Sequence, residues 1–443
     1  MMLHCSSRKM DRITYLPDSI RSCIVSFLPM KDAFRASVLS KQWRDVCRSL
    51  STLDFSQEIF ESKVHEELDF KDFVYQTLLR HDGSDVEKFH LRLSSANWPV
   101  CHLNSWISFA IHHNVKEIIL WLLGEGNNTI PQLLFTCQSL TRLTVFAMKE
   151  DLNLPSTIWF PVLKTLVIGQ VNFNSNNKSY RLISRCPMLE VLNIVDCIWD
   201  SSNIIVVSHP NLRMLELLAP GHAFKIRVPN LRLLLYTGGP LDISAEDLSS
   251  LVEVDIRYHK SSLKSTKVTS VHMSKILAGL QNVVTLTLSK TCIELLCKDQ
   301  DLSSHLPTSY SCLKHLHLDL VATNPNFQVA ILLLKSCVNI QVFSVTFSRP
   351  DASTSTCNME GCFEAQNSSN EGTLNRLITA SILWFGGSDC ELDFVRHLVK
   401  ISKHISITFD PDLDAERQRS IEEKLVELNK ASTYAYDVIR FAE

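Results

Sequence analysis

The sequence lacks an apolar run of the ~18 residues that a membrane-spanning helix needs. Its opening stretch, Met1 to Met10, is polar and too poor in apolar residues for a secretory signal peptide. Both absences lead to the expectation of a cytoplasmic or nuclear protein whose thiols stay reduced. A strong charge of one sign is also missing, since the formal net charge is −3. That balance offers no basic footprint for nucleic acid and none for an anionic membrane surface. The 14 cysteines include no C-x-x-C pair. Cys292…Cys297 and Cys357…Cys362 lack the second pair that a zinc ribbon would require. No G-x-S-x-G, H-E-x-x-H, P-loop or dinucleotide fingerprint occurs. Composition and motifs therefore assign no catalytic residue, no metal ligand and no cofactor, and an enzyme is not expected.

Two short groups invite a metal reading and do not sustain it. His112-His113 stands near Trp106 and Trp121, but neighbours in a helix or strand do not share a face. The pair reads as a loop entering a repeat. Asp410-Pro411-Asp412 with Asp414 reads as a turn followed by the acidic first turn of a helix, where carboxylates suit the dipole.

What the sequence does contain is one pattern, repeated. An apolar residue, two spacers, an apolar residue, one spacer and a third apolar residue recur along most of the chain. Clear copies are Val86/Phe89/Leu91, Val115/Ile118/Leu120, Leu140/Leu143/Val145 and Leu163/Leu166/Ile168. Leu189/Leu192/Ile194, Leu212/Leu215/Leu217 and a weaker Leu231/Leu234/Tyr236 follow. Leu251/Val254/Ile256, Val283/Leu286/Leu288, Leu313/Leu316/Leu318 and Ile340/Phe343/Val345 complete the series. The first members lie 19 to 32 residues apart, a spacing that fits leucine-rich repeats and runs somewhat beyond them. From the third triplet on, the position three before the lead residue is usually an apolar residue or a thiol, including Cys137, Cys186 and Cys337, with His209 in the same slot. Cysteine is among the most buried residues, so these thiols read as packing groups.

Each unit is too small to bury its own apolar side. Neighbours must stack, with the x-x-L-x-L segments as short strands lining one concave parallel sheet. On the other side Tyr180–Ser184, His272–Leu280 and Val329–Ser336 read as helical, and Asn203–Val207 and Phe224–Val228 as extended. Ahead of the array, Ser56 to His81 carries a helical stripe at Phe70, Phe73, Val74 and Leu78. Behind it, Pro350 to Thr373 loses all periodicity and reads as an insertion. Leu377–Phe385 then fits a strand, Glu391–Ile401 a helix, Ile405–Phe409 a strand and Ala415–Asn429 a charged amphipathic helix.

The stretch from Asp11 to Phe55 differs from all of this. Leu16-Pro17-Asp18 opens a helix with Pro where a missing N–H costs nothing. Ile20, Ile24, Phe27 and Leu28 give it one apolar face, and Leu28-Pro29 ends it. A second helix fits Lys31 to Leu39. Ser40 is a good N-cap for a third, which carries Trp43. Some 45 residues with so few apolar positions build little core alone, so an uncovered apolar surface is expected.

Leu16-Pro17, Leu28-Pro29, the Ala33…Ser37-Val38-Leu39-Ser40-Lys41-x-Trp43 run and Leu53-Asp54-Phe55 resemble an F-box, and more narrowly that of the plant F-box/LRR/FBD families. Phe385-Gly386-x-x-x-x-Glu391-Leu392-x-Phe394-Val395 and Ala431-Ser432…Val438-Ile439-x-Phe441 resemble the FBD domain. The fold class implied is α/β: an N-terminal three-helix F-box, an irregular leucine-rich-repeat solenoid and a C-terminal α+β cap. The corresponding boundaries are 11–55 for the F-box, 56–84 for a helical linker, 85–348 for the repeats, 349–373 for a flexible insertion and 374–443 for the FBD-like region. The resemblance further implies a non-catalytic subunit of a Skp–cullin–F-box ubiquitin ligase. Its F-box would dock a Skp-type adaptor, and through it a cullin, while the repeats hold a protein target. A scaffold acting without ubiquitylation is the alternative. The residues expected at the adaptor surface, or directly supporting it, are Leu16, Pro17, Ile20, Ile24, Leu28, Pro29, Val38, Leu39 and Trp43.

Overall fold

The computed structural model describes residues 16–61, 69–95, 98–124, 129–173, 176–199, 204–263, 266–349, 377–430 and 439–441. The insertion expected at 349–373 and the Ala431…Val438 part of the FBD resemblance lie almost wholly outside these residues, as does Asp11–Tyr15. The chain divides into two compact units, Met1–Ser201 and Ser202–Glu443.

The first unit opens with helices α1 (Asp18–Ser26), α2 (Met30–Ala36) and α3 (Lys41–Arg48). Then come β1 (Thr52–Ser56), α4 (Gln57–Glu61), α5 (Phe70–Arg80), β2 (Lys88–Leu93), α6 (Val100–His112) and β3 (Glu117–Leu122). A single 3-10 turn, Gln132–Thr136, precedes β4 (Arg142–Asp151), β5 (Thr165–Phe173), α7 (Asn176–Ser184), β6 (Val191–Val195) and β7 (Ile198–Trp199). Strands β1 to β6 pair in sequence order, all parallel, and β7 pairs with the end of β5. Parallel neighbours need a crossover, and each crossover here lies outside the sheet.

Two expectations are corrected in this unit. Leu53-Asp54-Phe55, the end of the F-box resemblance, is the middle of β1, with Leu53 opposite Phe89 and Phe55 opposite Leu91. Ser56 therefore ends a strand, and the helical stripe is confined to α5, where Phe70, Phe73, Val74 and Leu78 are all buried. His112-His113 is not a loop. His112 ends α6 and His113 caps it, their ring nitrogens 2.6 Å from the Ser108 carbonyl and 2.7 Å from that of Phe109. Leu103, Trp106, Ile107 and Ala110 form the buried stripe of that helix.

The second unit holds β8 (Ile205–Ser208), β9 (Met214–Leu218), β10 (Phe224–Arg227), β11 (Leu233–Gly238), β12 (Leu241–Ile243), α8 (Ala245–Leu248) and β13 (Glu253–Tyr258). It continues with α9 (Thr266–Gly279), β14 (Thr285–Leu288), α10 (Lys290–Leu296), α11 (Leu302–His305), β15 (His315–Leu320), α12 (Asn324–Ser336) and β16 (Val342–Phe347). Last are β17 (Leu377–Phe385), α13 (Asp389–Val399), β18 (Ser402–Phe409), α14 (Ala415–Lys430) and β19 (Ile439–Phe441). Strands β9, β11, β13, β14, β15, β16, β17, β18 and β19 form one parallel ladder, while β8, β10 and β12 form a small second sheet. Helices α10 and α11 were not anticipated.

Every member of the eleven apolar triplets is buried, none more than 2% exposed. Pairing aligns their middle members across each unit. Phe89, Ile118, Leu143, Leu166 and Leu192 stand side by side in the first. Leu215, Leu234, Val254, Leu286, Leu316 and Phe343 do so in the second. Side chains alternate across a strand, so the residues between them line the opposite, open face. From Cys137 to Cys337 the slot three residues earlier is buried, with Cys137, Cys186, His209 and Cys337 at 4% exposure or less, whereas Gly83 and His112 ahead of the first two triplets are exposed. Burial pushes the Cys186 and Cys337 thiols up to about 12, as expected of packing groups that never ionise.

Candidate adaptor-docking surface

Helix α1 begins after Pro17, whose φ of −56° suits the entry into a helix. Asp18 in its first turn pairs with Arg21, and Arg21 Nη1 donates to Gln42 Oε1 at 2.6 Å, tying α1 to α3. Ser40 caps α3 by accepting the Trp43 N–H at 3.3 Å. Cys47 Sγ donates to the Ala33 carbonyl at 3.1 Å and links α3 to α2. Burial raises that thiol to about 11.

One side of this three-helix head rests on the rest of its unit. Phe34 meets Phe73 of α5 edge-on at 5.7 Å, and the Arg80 guanidinium lies over the Phe34 ring at 4.7 Å. Lys31 is buried, donates to the Phe60 carbonyl at 3.1 Å and sits 4.4 Å from that ring. Arg48 Nε reaches the Arg80 carbonyl at 2.8 Å.

The other side is bare. Ile20, Ile24, Phe27 and Leu28, at i, i+4, i+7 and i+8, are 47, 37, 82 and 38% exposed. Val38 and Leu39, in the turn before α3, reach 76 and 73%. Pro17 and Pro29 are exposed and Leu16 is half-buried. An apolar set this contiguous on a folded surface is the usual mark of a partner site. Trp43 differs from the other expected residues: at 4% exposure it lies under α3 with Val46, where it can only support the surface. Phe27 was missed, although its place in the α1 stripe was legible. Beside the stripe, a cleft of about 290 Å³ is lined by Phe27, Leu28, Pro29, Leu50, Ile59 and Phe73.

Other groupings hold no assembled chemistry. Among the described residues, no group of three or more His, Cys, Asp or Glu could hold a metal ion. Asp299 Oδ2 accepts from Ser274 Oγ at 2.5 Å and pairs with His305 Nδ1 at 2.8 Å. The carboxylate stands between serine and histidine, so the imidazole does not touch the hydroxyl, and the triad order is absent. Asp410 and Asp412 are bridged by Arg349 and turn the chain into α14. Nor does any helix of the described residues have the length and apolarity to cross a membrane.

A helical head with a bare apolar face, ahead of parallel ladders built from leucine-rich repeats, defines the class. Residues 13–54 match the F-box domain. Residues 103–341 match the family described as FBD-associated F-box protein At5g56370, LRR repeats. The relatives are Arabidopsis thaliana proteins. FBD-associated F-box protein At4g10400 is 32% identical over 232 residues, 50% of this chain and 54% of that protein. F-box/LRR-repeat protein At4g14103 is 32% identical over 211 residues, 46% and 55% of the two chains. F-box/FBD/LRR-repeat protein At4g26340 is 27% identical over 308 residues, 67% and 70%. The matched region spans about half the length of the first two. The chain belongs to the F-box/LRR family of FBD-associated F-box proteins.

Proposed function

We propose that this protein is the substrate-recognition subunit of a Skp–cullin–F-box ubiquitin ligase, located in the cytoplasm or nucleus. The bare stripe of Ile20, Ile24, Phe27 and Leu28, with Val38 and Leu39 beside it, carries the reading. In this reading the F-box docks the adaptor, and the repeats of residues 85–348, read as a leucine-rich-repeat solenoid, hold a protein target. The region from residue 374 closes the last repeats as an FBD-like cap, and 349–373 is an insertion between them. Ubiquitin transfer belongs to other subunits. This chain contributes proximity, which turns an encounter into an effectively intramolecular step.

The test is adaptor capture. A central apolar anchor contributes ~2–4 kcal/mol to such an interface. The Leu16→Ala/Pro17→Ala double variant is expected to lose adaptor pull-down while the circular dichroism of the sheet stays unchanged. Adaptor binding that persists in it overturns the docking assignment. Co-purification of a cullin with the wild-type chain separates the ligase subunit from a scaffold that acts without ubiquitylation.

A further inference from the structure

The open face of the second unit's ladder is divided in two. On β9 and β11 it presents Met214, Leu218, Leu233 and Leu235, all half-exposed. From β13 to β15 it turns charged, and the charges are unbalanced. On β9 Glu216 stands between Met214 and Leu218; on β13 and β15 Glu253, Asp255 and Asp319 face the same side as a single guanidinium, that of Arg257.

That guanidinium is held from two directions. Arg257 Nε lies 3.0 Å from Asp255 Oδ1, and Arg257 Nη1 reaches across β14 to Asp319 Oδ2 at 3.3 Å. Asp319 also pairs with His317 Nε2 at 3.1 Å. Burial pushes the Asp255 carboxyl up, with the Asp319 carboxylate adding to it, against the pull of Arg257 and His317. The cations Arg213, Arg232 and Lys314 each stand one residue before the first open-face position of their strands, on the rim.

We infer that this face takes an extended partner segment that lays an apolar side chain on Leu233 and Leu235 and a lysine or arginine between Asp255 and Asp319. The inference rests on the reading of the repeats as the target-holding part and names the chemistry of that target. Charge complementarity argues for the basic residue, and the apolar strip beside it for its neighbour. Spacing follows from the sheet. Asp255 lies one strand separation from β11 and Asp319 three, about 5 and 14 Å, so a cation between them is reached within roughly four residues of extended chain. Arg257 marks the position the incoming cation would share or displace.

The full-length protein is screened against immobilised ten-residue peptides carrying Leu and Arg four positions apart, with Leu/Glu peptides of the same spacing as controls. The expected result is a preference of about tenfold or more for the Leu/Arg set, equivalent to ~1.4 kcal/mol, weakened when salt is raised to about 0.5 M. Asp255→Asn/Asp319→Asn is expected to abolish the preference. Leu235→Ser, which removes only apolar surface, is expected to weaken Leu/Arg binding without changing the melting profile. No binding, equal binding of both sets, or a preference that survives in both variants overturns the inference. Adaptor capture by the same variants is read in parallel. Loss of adaptor binding in the wild type counts against the ligase reading, whereas loss of peptide selection with capture intact counts only against this face.

Discussion

At the residue scale, Trp43 and Phe27 show what a sequence can and cannot tell. Both are large apolar residues on short helices of the F-box, and nothing in their spacing says which one faces out. The difference comes from how α3 packs against α1 and α2, a tertiary fact. Trp43 is 4% exposed and Phe27 82%. Trp43→Ala is expected to cost ~3–5 kcal/mol by emptying a packed site, read as early loss of the head in hydrogen exchange. Phe27→Ala is expected to leave exchange unchanged and to weaken adaptor capture by ~2 kcal/mol or more. Equal effects on both measurements would show that the buried and bare faces are assigned the wrong way round. Asp299 gives a second residue-scale expectation. Its desolvation alone would raise the carboxyl, but hydrogen bonds from Ser274 and His305 outweigh it and hold the carboxyl below the ordinary range. A carboxylate lowered in the fold stabilises above its unfolded pKa and loses that contribution as pH falls through the folded value. Exchange protection of α9 and α11 is therefore expected to hold from neutral pH down to about pH 4 and to fall below it. In Asp299→Asn the protection is expected to be lower at neutrality and flat with acid.

At the scale of elements, most strands were legible and their corners were not. The triplets marked β2 to β6, β9, β11 and β13 to β16 because a ladder buried on one side must repeat apolar residues at every second position. The capping box of α13 went unread, so that helix was expected from Glu391 and starts at Asp389: Ser388 accepts from the Glu391 N–H at 3.4 Å, and Glu391 Oε2 accepts from the Ser388 N–H at 2.8 Å. Nothing in the sequence announced that Lys149, Gln170 and Asp196 adopt φ of 57°, 58° and 50° on successive repeats. The left-handed region is normally glycine's; Lys149 and Gln170 carry no signal for it, and Asp196 only the weak one that aspartate's short polar side chain gives. They bend β4 and β5 and the end of β6 at one level, just past the paired Phe146, Gly169 and Val195. Gln170→Gly is expected to raise stability by ~1 kcal/mol, read as a shift in the urea midpoint of the first unit. Gly387 is the converse. Its φ is +71° and an added Cβ would stand 2.3 Å from Ile421 Cδ1 of α14. Gly387→Ala combines backbone strain with a clash and is expected to cost ~2 kcal/mol, seen as faster proteolysis at α14.

At the scale of the whole molecule, the controlling variable is parity along each strand. The repeat spacing is irregular, yet the pairing brings every middle member of a triplet onto one row in its unit, because a shift by one residue would turn the apolar set to water. Helices, extended segments and a 3-10 turn all serve as crossovers, so the buried row, and not the return path, is what the sequence preserves. This explains why α10 and α11 escaped a reading that found the strands flanking them: the crossover has only to return the chain, and many conformations do so. The sharpest expectation concerns two adjacent residues of β5. Leu166 is fully buried and stands opposite Leu143 and Leu192, whereas Val167 faces out with Thr144 and Asn193 on either side. Leu166→Asp places an unpaired carboxylate in the row shared by neighbouring repeats and is expected to cost about 4 kcal/mol or more. Val167→Asp puts the same group on the open face and is expected to change stability by less than about 1 kcal/mol. Each strand contacts its neighbours directly, so damage at Leu166 is expected to spread to β4 and β6 in hydrogen exchange before it reaches β1. Comparable destabilisation by the two substitutions, or loss of protection confined to β5, would mean that the row is not the cooperative unit it is taken to be.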